Sequence, residues 1–362
     1  MIRNNLETRW TEVQPYSLNA DQKNKLIGRE MSLLTRWHLD HCAEYNRILG
    51  TLNFKFKEVS NPDEIPFLPV RLFKLFDLLS IPREEIFKTM TSSGTSGQAV
   101  SQIFLDRETA KLQTKSLSRL MSDLLGKKRM PMLVIDSPSV LKDRNAFSAR
   151  GAGILGFSMF GTDVTYALND EMQLDTHGVD EFLERHREGP IFIFGFTFMV
   201  WEYFVKVLRG TKSRLALESG ILLHGGGWKK LKDEAVNSLE FKSALKEVAG
   251  IDHVVNYYGM VEQTGSLYLE CKQGYLHAPV FSDVIVRSAH DFKPVPHGEE
   301  GIIEVLSLIP RSYPGHALLT EDRGVIHGED DCSCGRLGKY FSVLGRLEQA
   351  EIRGCSDTHE IK

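Results

Sequence analysis

Thr91-Ser92-Ser93-Gly94-Thr95-Ser96-Gly97 is the stretch on which the reading of this chain turns. Five hydroxyl side chains and two glycines lie between an apolar approach, Ile86-Phe87, and a predicted helix starting near Asp106. Glycine permits backbone angles that a β-carbon forbids, so neighbouring amide N–H groups can converge on one point. Hydroxyls add short, rotatable donors around it. Such a loop suits phosphate oxygens. It has neither the Gly-Lys-Ser/Thr ending of the Walker loop nor the spacing of the dinucleotide fingerprint. A flexible polar loop is the other reading of the same residues.

Working outward, residues 6–50 read as helical, with Cys42 on the apolar face, and Asn61-Pro62-Asp63-Glu64-Ile65-Pro66-Phe67-Leu68-Pro69 is held extended by its prolines. Downstream, Asp106–Leu125 is a predicted amphipathic helix, and Met130–Asp136 and Pro190–Gly195 are predicted buried strands. Arg150–Phe157 is glycine-rich and apolar, and lines a narrow channel or serves close backbone packing. Gly220–Leu223 runs as a strand into Gly225-Gly226-Gly227, where a flat ligand can approach the backbone or the chain simply turns tightly. Helix is predicted over Lys232–Val248. His253–Gly259 then ends in an aromatic-glycine turn at Tyr257-Tyr258-Gly259, with Glu262 just beyond. Glu262 is either a magnesium ligand or a solvated carboxylate at a helix start. Strands alternating with helices predict an α/β fold with a largely parallel sheet. From Pro279 the strands shorten: Asp283–Val286, Gly301–Leu306, Ala317–Leu319 and Gly324–Ile326, with Thr320-Glu321-Asp322 between the last two. The expected organisation is an α/β core over residues 1–278, a β-rich subdomain over 279–345, and a hinge with a short tail over 346–362.

Composition narrows the function. At 42% hydrophobic and 25% charged residues the chain is an ordinary globular sequence, and its net charge of −4 gives no footprint for nucleic acid. No apolar run approaches the ~20 residues of a membrane span, and the first residues carry no apolar signal core, so the expected location is the cytoplasm. Five cysteines, four of them in Cys271, Cys332, Cys334 and Cys355, point to metal or thiol chemistry before disulfides.

Taken in this order, these motifs resemble the adenylate-forming ligase superfamily. The resemblance makes Thr91–Gly97 the phosphate loop for ATP, places adenine against Gly225, Gly226 and Gly227, and assigns Tyr257, Tyr258 and Gly259 to the same base. It gives Glu262 the magnesium, Asp322 the ribose hydroxyls, and Gly345-Arg346 the hinge, with Arg346 reaching the nucleotide. The implied fold is the superfamily's N-terminal domain, without its large C-terminal domain and the lysine which that domain delivers. Lys229 or another basic residue would take that lysine's place, or the reaction would proceed without one.

Asp63-Glu64-Ile65-Pro66, continuing to Phe73-Lys74, together with Gly225-Gly226-Gly227-Trp228-Lys229, is similar to the acyl-protein synthetases of bacterial bioluminescence. That resemblance implies formation of a fatty acyl-adenylate from ATP, then transfer to a cysteine near the C-terminus. Here Cys355, after Arg353-Gly354, stands in that place. The onward acceptor would be an acyl-CoA reductase partner. The region around Cys334-Gly335-Arg336 instead resembles phenylacetate–CoA ligases, which transfer to CoA. Some of these carry structural zinc, and Cys271, His277, Cys332 and Cys334 supply three sulfurs and one imidazole for such a site. Transfer to CoA or a carrier protein, and a non-catalytic scaffold of the same fold, are the alternatives.

Overall fold

The structure, a computed structural model, describes residues 9–92, 100–141, 149–228, 231 and 234–347. Contacts group them into two compact units, one of residues 9–123 with 259–347 and one of 124–258. That grouping differs from the linear division expected at 278/279, because the chain leaves unit one and returns to it.

Unit one opens with helices. The Asn19 side chain accepts from the Gln22 amide, and the Gln22 side chain accepts from the Asn19 amide, a reciprocal cap that starts α1 (Ala20–His41). Ile27, Met31 and Leu34, three or four residues apart, share a core with Phe281, Ile285 and Leu308. Helix breaks at buried Cys42, whose backbone is extended, before α2 (Ala43–Thr51). The helical stretch expected over residues 6–50 is therefore two helices preceded by a 3-10 turn, Arg9–Glu12. After β1 (Leu68–Pro69), strands β2 (Lys88–Thr91) and β3 (Gln102–Leu105) form an antiparallel pair in which Thr91 faces Gln102. Asp106 Oδ1 accepts from the Thr109 amide at 2.7 Å and caps α3 (Arg107–Leu125), matching the predicted helix.

Unit two is a run of alternating elements: β4 (Met130–Val134), α4 (Ala149–Ser158), β5 (Gly161–Tyr166), α5 (Thr176–Arg185) and β6 (Ile191–Phe196). A helical segment follows, with a turn Thr197–Met199, a π-helical stretch Val200–Val205 and α6 (Lys206–Thr211). Then come β7 (Gly220–Gly225), α7 (Ser238–Ala249) and β8 (His253–Tyr258). The five strands are all parallel, in the order β5-β4-β6-β7-β8. Ile193, Leu133 and Leu222 pack with Phe204, Phe241 and Leu245 in one core, which is why β6 reads as an unbroken apolar run. The glycine-rich segment 150–157 is helical, and a β-carbon at Gly153 would sit 3.1 Å from the Phe196 ring, so this glycine serves close packing. Helix α7 begins at Ser238 rather than Lys232, because the Asn237 side chain caps it by accepting from Glu240 N at 3.0 Å.

On its return to unit one the chain forms β9 (Tyr268–Glu270), β10 (Leu276–His277), β11 (Ser282–Arg287), β12 (Glu300–Ser307), β13 (Ala317–Glu329) and β14 (Lys339–Arg346). These strands are antiparallel, in the order β11-β12-β13-β14-β10-β9, with β1 added parallel to Leu318-Leu319. The largely parallel sheet expected of the α/β core is that of unit two, and the shorter strands expected from Pro279 belong to the antiparallel sheet of unit one. The two short strands expected around Thr320-Glu321-Asp322 are one 13-residue strand. Its ladders shift register at Ile302/Glu304 and Arg323/Gly324, and these bulges carry the polar residues through without a turn.

Unit one also buries a polar knot. His38 Nδ1 meets Ser80 Oγ at 2.7 Å, Thr35 Oγ1 meets His316 Nε2 at 3.0 Å, and the two imidazoles stack 4.8 Å apart. Burial holds His38 well below the usual histidine range and His316 at about 3. Both stay neutral in the fold while the unfolded chain protonates near pH 6.5, so their stability contribution is intact above that pH and is lost as pH falls below it. His316→Gln is therefore expected to destabilise less at pH 5.5 than at pH 7.5, by about 1.4 kcal/mol in urea unfolding. An unchanged gap would mean that His316 carries its proton in the fold.

Candidate functional site

In unit one the carboxylate turn is held by its backbone. Glu262 lies in a 3-10 turn, Val261–Gln263. Gln263 Nε2 donates to Val305 O at 3.0 Å and to Gly315 O at 2.9 Å, and the Tyr313 hydroxyl donates to Glu262 O at 2.9 Å. The turn is thus tied to β12 and to the segment before β13. Glu262 is 7% exposed. Burial pushes its carboxyl up, and the Ser101 hydroxyl with the charges of Lys74 and Arg346 pulls the other way. The carboxylate is therefore neither solvated nor at the start of an α-helix.

Asp322 and Arg346 are directly opposed residues of β13 and β14, and Arg346 Nε lies 3.4 Å from Asp322 Oδ1. Thr320 Oγ1 donates to Ile303 O at 2.7 Å and accepts from Asp322 N at 3.1 Å, which sets the bulged backbone. One residue before Asp322, Glu321 accepts from Arg71 Nε at 2.8 Å. The expected hinge residue Gly345 is within β14, with φ +140°. Glu262, Asp322 and Arg346 therefore come together from separate chain segments.

The hydroxyl-rich stretch starts from the same unit. Thr91 ends β2, Ser92 N donates to Ser101 O at 3.0 Å, and Ser101 N donates to Ser92 Oγ at 2.9 Å. Ser92 and Ser101 are thereby fastened to each other. Ser93, Gly94, Thr95, Ser96 and Gly97 lie outside the described residues, as do Lys229, Arg353, Gly354 and Cys355.

In unit two, β7 delivers Gly225 beside β8, where Tyr257 is its register partner. A β-carbon on Gly225 would fall 2.7 Å from Tyr257 O, and one on Gly226 would fall 2.7 Å from the Phe196 ring. Gly226 and Gly227 have φ of +87° and +68°, the left-handed region open to glycine. Among the described residues nothing approaches within 4 Å of a β-carbon placed on Gly227. The turn is clamped from behind. Thr197 Oγ1 donates to Gly225 O at 3.1 Å, so its lone pairs accept from His224 Nδ1 at 3.0 Å, which fixes the tautomer. Burial first, and the Lys242 charge second, keep His224 at about 3, hence neutral. After the glycines, Trp228 packs edge-on against Trp201 and Phe241. Neither Thr197 nor the π-helical placement of Trp201 carried a sequence signal. Tyr258 ends β8 and Gly259 opens the return to unit one.

Cys271, His277, Cys332 and Cys334 also come together in unit one, with their ligand atoms all within 4.8 Å of one another. Two matching turns present them. Gly274 N donates to Cys271 O at 2.9 Å, and Gly335 N donates to Cys332 O at 3.0 Å. The amides of Gln273 and Arg336 donate to the sulfurs of Cys271 and Cys334, each at 3.4 Å. His277 Nε2 lies 3.4 Å from Cys334 Sγ, and its ring stacks on Tyr340. Burial, with Arg336 and Lys23, holds His277 at about 4, so the imidazole is neutral and free to ligate. Three sulfurs and one nitrogen suit tetrahedral zinc, whose ligands sit ~3.5–3.8 Å apart when bonded at ~2.0–2.3 Å. Amide donors to the sulfurs favour thiolates, so the residues present fit the ion.

A family model described as acyl-protein synthetase, LuxE, matches residues 4–362. The chain is 20% identical over 346 residues to the long-chain-fatty-acid–luciferin-component ligase of Vibrio harveyi, covering 94% of this chain and 89% of that one. It is 22% identical over 312 residues to the enzyme of the same name from Aliivibrio fischeri, covering 81% and 77%. Among solved structures, an open conformation of 2-hydroxyisobutyryl-CoA ligase, bound to 2-HIB-AMP and CoA, superposes with a TM-score of 0.70 at 16% identity. The match covers 92% of this chain and 77% of that one, and what it shares is the α/β fold. By a family match that runs nearly end to end, the chain belongs to the LuxE acyl-protein synthetases and is a ligase.

Proposed function

We propose that this ligase uses ATP to convert a long-chain fatty acid into an acyl-adenylate and passes the acyl group to the thiol of Cys355. The observation that carries the reading is the assembly of Glu262, Asp322 and Arg346 in unit one, with Ser101, which is fastened to Ser92, bonding Glu262. In the first step a carboxylate oxygen attacks the α-phosphorus of ATP and pyrophosphate leaves. The protein's part is positioning and charge neutralisation rather than covalent chemistry. Asp322 would accept from the ribose hydroxyls, with Arg346 setting its orientation. Thr91–Gly97 would bond the phosphate oxygens. Gly225, Gly226 and Gly227, with Tyr257, Tyr258 and Gly259, would receive the adenine. Glu262 would hold magnesium, which supplies charge neutralisation for the departing pyrophosphate. Cys271, His277, Cys332 and Cys334 would hold a structural zinc, joining the turn after β9 to the loop between β13 and β14.

Cys355 follows Arg353, and a cationic neighbour favours the thiolate that attacks the acyl-adenylate. The onward acceptor would be an acyl reductase protein, which supports an assembly with that partner. The test is carboxylate-dependent exchange of labelled pyrophosphate into ATP across a panel of fatty acids, then mass spectrometry of the acylated chain. A hydroxylamine-labile adduct on Cys355, absent from Cys355→Ser, is expected. Exchange without that adduct, and CoA thioester formed by Cys355→Ser, would move the acceptor to CoA. No exchange with any carboxylate would overturn adenylation itself and leave a scaffold.

A further inference from the structure

The segment from Asp63 to Lys74 is laced into unit one at several points. Arg287 Nη2 donates to Asp63 O at 2.9 Å, and Leu68-Pro69 adds a parallel strand to Leu318-Leu319. Arg71 pairs with Glu321, next to Asp322. Phe73 is 2% exposed and meets the Tyr313 ring edge-on, with centroids 6.0 Å apart. The hydroxyl of that same tyrosine donates to Glu262 O. Both 3-10 turns, Val70–Lys74 and Val261–Gln263, lie against β3. Beyond the first turn, Ser80 N donates to Ser312 O at 2.8 Å, one residue from Tyr313. Lys74 is therefore placed by the same brace that places the Glu262 turn.

Its charge is differently situated from those around it. Arg71 is tied to Glu321 and Arg346 to Asp322. Lys74 is half-buried, and among the described residues no carboxylate, carbonyl or hydroxyl bonds its ammonium. Its field instead falls on the Glu262 carboxylate. A lysine is a compact point charge on a flexible stem, able to follow an oxygen whose charge grows during a reaction. A cation that no hydrogen bond among the described residues ties down, acting on the carboxylate assigned to magnesium, suits an anionic oxygen of the substrate.

We propose that Lys74 is a catalytic residue of acyl activation, its ammonium bonding a non-bridging oxygen of the α-phosphate as the acyl-adenylate forms. The inference rests on the adenylation reading above. In the step it serves, a carboxylate oxygen bonds to the α-phosphorus while the bond from that phosphorus to the bridging oxygen breaks. The electron pair leaves on pyrophosphate, and no proton is transferred. Lys74 stabilises the charge on the equatorial oxygens of that transition state.

The experiment measures pyrophosphate exchange by the full chain and by Lys74→Gln and Lys74→Arg, with thermal melts of all three. Lys74→Gln is expected to slow exchange about 100-fold at saturating ATP with its melting temperature unchanged, and Lys74→Arg to recover at least about tenfold of that loss. Exchange by Lys74→Gln within about threefold of the parent would overturn the assignment, as would a folded Lys74→Arg no faster than Lys74→Gln. If the parent itself exchanges nothing, adenylation falls. If the parent exchanges and Lys74→Gln keeps pace, only the role of Lys74 falls.

Discussion

Glu262→Gln is expected to lower carboxylate-dependent pyrophosphate exchange by about 10²–10³-fold while leaving the melting temperature the same or higher. The opposite signs follow from one environment. A carboxylate at 7% exposure has lost most of its water, and burial pushes its carboxyl up even against Lys74 and Arg346. A group whose folded pKa is raised contributes stability below its unfolded pKa and loses it as pH rises, so at neutral pH the burial of Glu262 is a strain on the fold. Glutamine keeps the shape and removes the charge. It also removes the ligand proposed for magnesium. A purely structural carboxylate would behave otherwise, losing stability on substitution and sparing exchange. Exchange within about threefold of the parent would remove Glu262 from the reaction.

The second large effect concerns the sulfur cluster. Protein purified without chelator is expected to carry close to one zinc per chain by elemental analysis, and Cys332→Ser/Cys334→Ser to carry none. The double variant is expected to melt about 10 °C lower, since a site assembled only in the fold returns its binding free energy as folding free energy. Cys271 and His277 bracket the link from β9 to β10, and Cys332 and Cys334 follow β13, so the ion would close a loop of some sixty residues, which raises its leverage on the unfolded chain. Metal-free protein that melts at the same temperature with and without added zinc would refute the site.

Much of this was legible in sequence, and the misses have physical causes. The helix from Asp106 and the strand from Ile191 were legible because a capping aspartate and an apolar run are local signals. The three sulfurs and the imidazole were legible as residue types, although only the fold shows two separated segments meeting. Thr320-Glu321-Asp322 read as an interval between two strands because polar residues in a row look the same in a break and in a bulge. Only the ladders to β12 and β14 decide between them. The break at Cys42 had no marker, since an apolar residue ends α1 without glycine or proline. The parallel sheet of unit two was legible because its strands alternate with helices, and the shorter strands from Pro279 marked the β-rich part, although the direction of each strand depends on partners that composition does not encode. Phe73-Lys74 was visible as part of a motif, but its bearing on Glu262 runs through Tyr313, some 240 residues later.

Because the chain leaves unit one at residue 123 and re-enters it at 259, synthesis on the ribosome poses an ordering problem. Among the described residues unit two is contiguous, so its chain is complete once residue 258 emerges. The opening third of the chain still lacks its partners then. Lys23, 1% exposed in the finished protein, waits for Ala278 O and Asp283, and β1 waits for Leu318-Leu319. Until then α1 carries an apolar face and an ammonium, both of which later become buried, with neither partner yet made. Nascent chains of this protein should therefore lean on chaperones more heavily before residue 320 is translated than after it.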